Sequence, residues 1–367
     1  MPCRQGSIAF LVTVLVGSGL ACDRSATNPA STSQPAAAPS QLPPWPREAD
    51  DAPASKPAAP PPEVTRLIGE YGPEAEPVYV FERNHTLWLL IGRSNACQLT
   101  TDRSDPRRFS ADGTCSVRTV TFTSRSDAEV ENVAIDGRTY GRRQVGPTDG
   151  SGQLRVQPLR PVADILKEAM AASPPSESGT FRDAELVELV ALDPSIKLDI
   201  RYATTNNFLG AVFYAEPRAF LQRPAAEAVV RAHRALRTQG YGLLIHDGYR
   251  PWFVTKTFWD ATPPSKKWLV ADPSRGSRHN RGAAIDLTLF DLATGAVIDM
   301  PSTYDESTAR AYAFYPGGTH LQRWHRALLR RSLEAEGFSV NPEEWWHFDY
   351  KDAASYRIGN VAFDRIK

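Results

Sequence analysis

The chain has 367 residues, and its 42 Lys+Arg balance 42 Asp+Glu for a formal net charge of zero. Domains usually run to roughly 100–200 residues, so one large or two moderate domains fit. The charge balance offers nothing to nucleic acid or another polyanion, and eight Trp with fifteen Phe argue for packed cores rather than wholesale disorder.

Arg4 precedes an apolar run from Ile8 to Val16, then the stretch Gly17 to Ala21, which is small and neutral apart from Leu20, and then Cys22. The run is shorter than the roughly 20 residues of a bilayer span and has the flanks of an export signal. Residues 1–22 therefore read as a signal peptide of lipoprotein type with Cys22 lipidated. Gly19 stands where a usual lipobox has Leu, and an ordinary secretory signal is the alternative. Either way the mature chain is expected outside the cytoplasm, periplasmic or anchored to a membrane through Cys22. Residues 23–62 are rich in Pro, Ala and Ser and cannot bury enough apolar surface to fold, so they read as a disordered tether.

Residues 63–145 are expected to form a small antiparallel β domain. Val78–Phe81 and Leu87–Ile91 are strand-like runs around a turn at residues 82–86, Val117–Thr123 alternates with period two, and residues 133–140 read as a hairpin. His85 sits alone in a turn and reads as a surface residue. Cys97 and Cys115 are an even pair in an exported domain, a natural disulfide; two buried thiols are the alternative. Residues 146–185 form a connector with one helix at 161–172.

The last domain, 186–367, mixes strands at 186–190, 198–202, 241–246, 283–289 and 345–350 with helices at 224–239 and 319–337. Pro224 sits in the first turn of one helix and Gly240 stops it. The irregular alternation gives the class α+β. His233, His320 and His325 lie on helices and read as surface residues, with His320 packing on Trp324.

Chemistry concentrates in this last domain. In Ser277-Arg-His-Asn-Arg-Gly-Ala-Ala-Ile-Asp286, His279 and Asp286 flank a glycine turn that opens a strand. Gly282 permits a tight turn, so a loop His and a strand Asp can face one point as zinc donors. Glu343-Glu-Trp-Trp-His347 adds a third donor, His347, and a carboxylate, Glu344, suited to moving a proton. On a flat strand Glu344 and His347, three apart, point to opposite faces, so a bulge or strand end is required. His246-Asp-Gly-Tyr-Arg-Pro251 places Arg250 just past a strand, where it can stabilise an oxyanion or pair with Asp247. Glu343 reads as a solvated neighbour of Glu344, and His246 as a satisfied histidine rather than a fourth ligand. Ser277 lacks a separate His–Asp pair to activate it and reads as a loop-shaping or substrate-contact residue.

Three segments, Asp247-Gly-Tyr-Arg-Pro, Ser277-x-His-x-x-Gly-x-Ala-x-Asp and Glu344-Trp-Trp-His, resemble in type and order the D-alanyl-D-alanine dipeptidases, the zinc peptidase family that includes the vancomycin-resistance dipeptidases. Asp199-Ile-Arg-Tyr-Ala-Thr-Thr-Asn-Asn-Phe-Leu-Gly resembles the opening of that domain. The resemblance implies a zinc D,D-peptidase-like fold for residues 186–367, with one Zn2+ on His279, Asp286 and His347. It implies Glu344 as the catalytic acid/base, Arg250 as transition-state stabiliser and Asp305 near the substrate ammonium. The substrate it implies is D-Ala-D-Ala or short peptidoglycan peptides, in cell-wall turnover. A D,D-carboxypeptidase acting on stem peptides and a non-catalytic wall-binding lipoprotein are the competing expectations.

Overall fold

The computed structural model describes residues 55–92, 96–124, 130–145 and 154–366. The expected signal peptide, its Cys22 and the tether up to residue 54 lie outside the described residues. The tether's last residues have a defined place: Lys56 Nζ lies 5.3 Å from the Tyr241 ring centre. A short helix α1 (Pro62–Thr65) follows, with proline in its first turn.

The N-terminal lobe is an antiparallel meander of eight strands in sequence order. These are β1 (Gly69–Tyr71), β2 (Val78–Arg83), β3 (Thr86–Ile91), β4 (Cys97–Asp102), β5 (Asp105–Ala111), β6 (Thr119–Ser124), β7 (Val130–Ile135) and β8 (Arg138–Gly141). Beyond β8 the chain returns to β1 through a bridge between Tyr71 and Arg142, with the Gly72 amide donating to the Gly141 carbonyl at 2.8 Å. The meander thereby closes into a barrel. At eight strands a barrel interior is just wide enough for side chains to fill it, and Tyr71, Val80, Leu89, Phe109, Phe122 and Val133 do so. The turn between β7 and β8 uses Asp136 and Gly137, both at positive φ, the backbone a two-residue hairpin needs. A disulfide joins Cys97 to Cys115.

The second lobe begins with α2 (Val162–Ala171), β9 (Leu186–Glu188), α3 (Leu189–Leu192) and β10 (Lys197–Leu198). It continues with β11 (Phe220–Gln222), α4 (Arg223–Arg237), β12 (Tyr241–Asp247) and α5 (Trp252–Ala261). β13 (Ala284–Asp291), α6 (His320–Glu334), β14 (Phe338–Asn341) and β15 (Glu344–Tyr350) complete it. The main sheet has the order β10-β12-β13-β15-β14, with β10 parallel to β12 and the other neighbours antiparallel. α4 presents Ala225, Ala228, Val229, Ala232 and Leu236 to the core, at helical spacing. α6 opens with a full capping box between Thr319 and Gln322. Among the described residues no helix is long and apolar enough to cross a membrane.

The structure corrects several sequence expectations. Residues 252–261, given no element above, form a helix with proline ahead of it at residue 251. Alternation at 198–202 yields only a two-residue strand and then a 3-10 turn. His233, His320 and His325 are buried rather than superficial, because polar partners meet them inside. His233 Nδ1 accepts from the Leu243 amide at 3.1 Å, and His325 Nε2 meets the Tyr241 hydroxyl at 3.0 Å. At His320 it is the backbone amide that is met, donating to the Glu82 carboxylate of β2 at 2.8 Å.

The disulfide spans 18 positions, and closing a loop of that size restricts the unfolded chain by about 3 kcal/mol. Replacing Cys97 and Cys115 together by Ala is expected to lower barrel stability by about that amount in urea titration; an unchanged midpoint would show that the crosslink adds nothing.

Candidate active site

Two irregularities in the main sheet set the site. In β12 the register slips between Ile245 and Asp247, so Asp247 rather than His246 faces Asp286 across the ladder. In β15 the pairing with β14 steps from Val340–Phe348 to Asn341–Glu344. That bulge brings Glu344 and His347 to one side, with Glu344 Oε2 3.8 Å from His347 Nδ1. Bulges re-aim side chains in this way at active sites. Asp286 and His347 are direct partners between β13 and β15.

His279 arrives from a 3-10 turn at His279–Arg281 that ends on Gly282 in the left-handed region, φ 65°. A Cβ there would lie 2.6 Å from Leu186, so the turn needs glycine for both backbone and space. Gly248 is constrained by space alone, since a Cβ there would lie 2.8 Å from the Phe220 carbonyl.

The donor atoms converge. His279 Nε2 and His347 Nδ1 are 3.1 Å apart, His347 Nδ1 is 2.9 Å from Asp286 Oδ1, and His279 Nε2 is 3.4 Å from the same oxygen. Each donor is oriented from behind. His279 Nδ1–H donates to the Gly248 carbonyl at 2.7 Å, His347 Nε2–H to Asp349 at 3.0 Å, and the Tyr304 hydroxyl to Asp286 Oδ2 at 3.0 Å. With those outward bonds made, His279 Nε2, His347 Nδ1 and Asp286 Oδ1 all face one point, where they can share a proton or a metal cation. Burial opposes charge on His347, yet Asp286 and Asp349 outweigh it and hold the imidazolium well above its usual range. Burial likewise opposes ionised Asp286, and the two imidazoles outweigh it and hold that carboxyl well below its usual range. Two imidazole nitrogens and a carboxylate oxygen within 4.8 Å of one another fit zinc with a coordination position left open.

Around this point lies a cavity of about 670 Å³. Arg250 lines it, 9% exposed, held by Asp247 Oδ2 at 2.9 and 2.8 Å. Asp247 also accepts from the Tyr214 hydroxyl at 2.8 Å. The guanidinium therefore has both the ion-pair role with Asp247 and access to the cavity, with Nη2 3.9 Å from Asp286. Glu344 is partly exposed to the cavity and receives the Asn341 amide at 3.0 Å; burial, with Asp286 adding, pushes its carboxyl up despite the neighbouring imidazoles. Asp305 lies on the same cavity with φ 60°, and Tyr202 donates to it at 3.3 Å. Burial, with Asp286 and Glu344 adding, pushes the Asp305 carboxyl up to about 8.

Ser277 lines the cavity and shapes its loop, its Oγ accepting from the Asn280 amide at 3.3 Å. Glu343 is exposed. His246 stands apart from the donors, 3.4 Å from Asp199 and stacked on Tyr304. Sequence reasoning missed Asp349 and Tyr304. The first sits two positions beyond His347, on the same strand face, which was a readable signal; the second comes from a distant loop and carried none.

The nitrogen and oxygen donors, the half-exposed carboxylate and the guanidinium on one cavity are the groups a metallopeptidase site uses. Residues 182–365 match the family model described as D-ala-D-ala dipeptidase. The D-alanyl-D-alanine dipeptidase of Escherichia coli K12 is 35% identical over 174 residues, 47% of this chain and 89% of that protein. That of Enterococcus faecium is 34% identical over 178 residues, covering 43% and 87%, and that of Streptomyces coelicolor is 30% identical over 175, covering 43% and 87%. The chain belongs to the D-alanyl-D-alanine dipeptidase family of peptidases.

Asp349 orients His347, and partners of that kind typically contribute about 10–100-fold to metal affinity. Asp349→Ala is expected to weaken zinc binding by about that factor in chelator competition. Unaltered affinity would mean that His347 is oriented by packing alone.

Proposed function

We propose that the chain hydrolyses D-alanyl-D-alanine to two D-alanines with one zinc ion held by His279, Asp286 and His347. The observation that carries this reading is the convergence of those donors beside Glu344, in a domain whose relatives bear that name. Zinc at such a site supplies Lewis acidity, polarising a carbonyl and acidifying water. Glu344 takes the proton of the attacking water and passes it to the leaving amine, so the acyl half leaves as a carboxylate and the other half as a free amine. Its half-exposed position and raised carboxyl suit a group that must both accept and return a proton. Arg250, pinned by Asp247, meets negative charge developing on the carbonyl oxygen. Asp305 accepts the substrate ammonium, whose positive charge favours ionisation of a carboxyl otherwise raised by burial and neighbouring acids. Ser277 contributes a hydroxyl to the cavity wall.

One observation favours a second reading. A cavity of about 670 Å³ falls within the ~300–1,000 Å³ of pockets that hold drug-sized ligands, more room than two alanines need. Stem peptides cleaved by D,D-carboxypeptidase action would use it. Export through residues 1–22, with lipid anchoring at Cys22, would put either activity beside the cell wall; the apolar run ahead of that cysteine supports this part of the proposal.

The deciding assay compares D-Ala-D-Ala with a tripeptide ending in the same pair, using wild type and Glu344→Gln. Release of D-Ala from the dipeptide, reduced by about 10²–10⁴-fold in the variant with zinc retained, is the expected result. Cleavage of the longer substrate alone moves the assignment to carboxypeptidase, and full activity of Glu344→Gln removes Glu344 from the proton path.

A further inference from the structure

The barrel does not merely precede the peptidase lobe. Glu70, Tyr79 and Arg143 of the barrel side line the same cavity as His279, Glu344 and His347. The segment pressed between the two lobes is the stretch after β13 that carries Asp305. Its far end is gripped by the barrel at several points. The Tyr315 hydroxyl donates to Glu70 at 2.8 Å. The Glu82 amide donates to the Gly318 carbonyl at 3.2 Å, and Arg323 donates to the Glu82 carbonyl at 2.7 Å. Tyr315 also packs with Tyr79, Phe81 and Leu90, its ring edge-on to Tyr79 with centroids 5.9 Å apart.

Glu70 is the polar centre of this contact. It is 2% exposed and pairs with Arg143 at 2.7 Å. A carboxylate so buried is costly unless its partners are held in place, so the contact admits little slack. On the loop side, Glu306 is 4% exposed and accepts from Thr308 at 2.5 Å. Arg310 lies 3.5 Å from Glu306 and donates to the carbonyls of Pro301, at 2.9 Å, and Val145, at 3.4 Å. Val145 directly follows the barrel, so Arg310 links the start of the loop to it. Between Pro301 and Arg310 sits Asp305 with positive φ, a conformation that persists when the surroundings impose it. Its own side chain has one long bond, from Tyr202.

We propose that Glu70 is a positioning residue for the peptidase: through Tyr315 it fixes the 301–319 loop so that Asp305 faces the cavity, making the barrel a working wall of the substrate pocket. The proposal rests on Asp305 being the ammonium subsite, as in the function proposed above.

The test uses the full chain with Tyr315→Phe, Asp305→Asn and the pair combined. Tyr315→Phe is expected to raise KM for D-Ala-D-Ala about tenfold, equivalent to about 1.4 kcal/mol, with kcat and zinc content nearly unchanged. Because the effect runs through Asp305, the double variant should be no worse than Asp305→Asn alone. Hydrogen exchange should quicken at residues 303–312 and stay constant in the barrel strands. Glu70→Gln, which keeps an acceptor for Tyr315 but loses the ion pair, should give the same changes in smaller measure. Additive KM effects, or unchanged exchange at 303–312, would overturn the proposal. Should wild type fail to cleave D-Ala-D-Ala, the exchange result still decides the positioning, and only the dipeptidase reading falls.

Discussion

The pairing of Asp286 with His347 across β13 and β15 is the constraint on which the site depends. Side chains on a strand alternate, so a slip of one residue would turn one of these groups into the hydrophobic core and a neighbouring apolar side chain into the cavity. The flanking residues forbid that slip. Ile285 and Leu287 of β13 and Phe348 of β15 are fully buried, and exposing them would each cost about 1.5–3 kcal/mol. The apolar core thus fixes the register, and the register fixes the donors. What remains is polar adjustment from behind, by the Gly248 carbonyl, Tyr304 and Asp349.

Bulges then add what regular strands lack. β12 delivers Asp247 to Arg250 only because one extra residue is accommodated near His246. The displaced His246 is not wasted: it stacks on Tyr304, whose hydroxyl in turn holds Asp286. The bulge in β15 similarly lets Trp345 and Trp346 both be buried while Glu344 and His347 both reach the cavity. Trp345 is anchored by donating to Ser302 at 2.8 Å, and Trp346 packs against Tyr304 at 5.5 Å. The aromatic pair therefore ties the strand bearing Glu344 to the loop bearing Asp305.

This division explains what could be read from the residues alone. The strands at 241–247 and 284–291 and the helices at 223–237 and 320–334 announce themselves by periodicity and by glycine or proline at their ends. The donor types stood in two short motifs around His279–Asp286 and Glu344–His347, and their assignment as one set came from the family resemblance. The spacing of Glu344 and His347 pointed to a bulge but not to its partner strand, because the step in register belongs to β14 as much as to β15. The strands at 97–102 and 105–111 escaped notice because their residues are largely polar, with only Cys97, Leu99 and Phe109 buried. The buried histidines escaped because a helical residue's partners, such as Ser195 for His233 at 3.0 Å, lie far away in sequence.

The closing of the barrel was beyond sequence reasoning for the same reason, since it depends on Arg142 and Arg143 meeting residues about seventy positions earlier. Its consequence is physical rather than decorative. An open meander would leave β1 and β8 with unpaired backbone edges, and β1 is the strand that carries Glu70. Closure pairs the Arg143 amide with the Glu70 carbonyl at 2.8 Å and its guanidinium with the Glu70 carboxylate. One residue thereby completes the barrel and neutralises the carboxylate that faces the peptidase loop. The contact that closes the barrel is therefore also the one that holds Glu70 against Tyr315 of the peptidase loop.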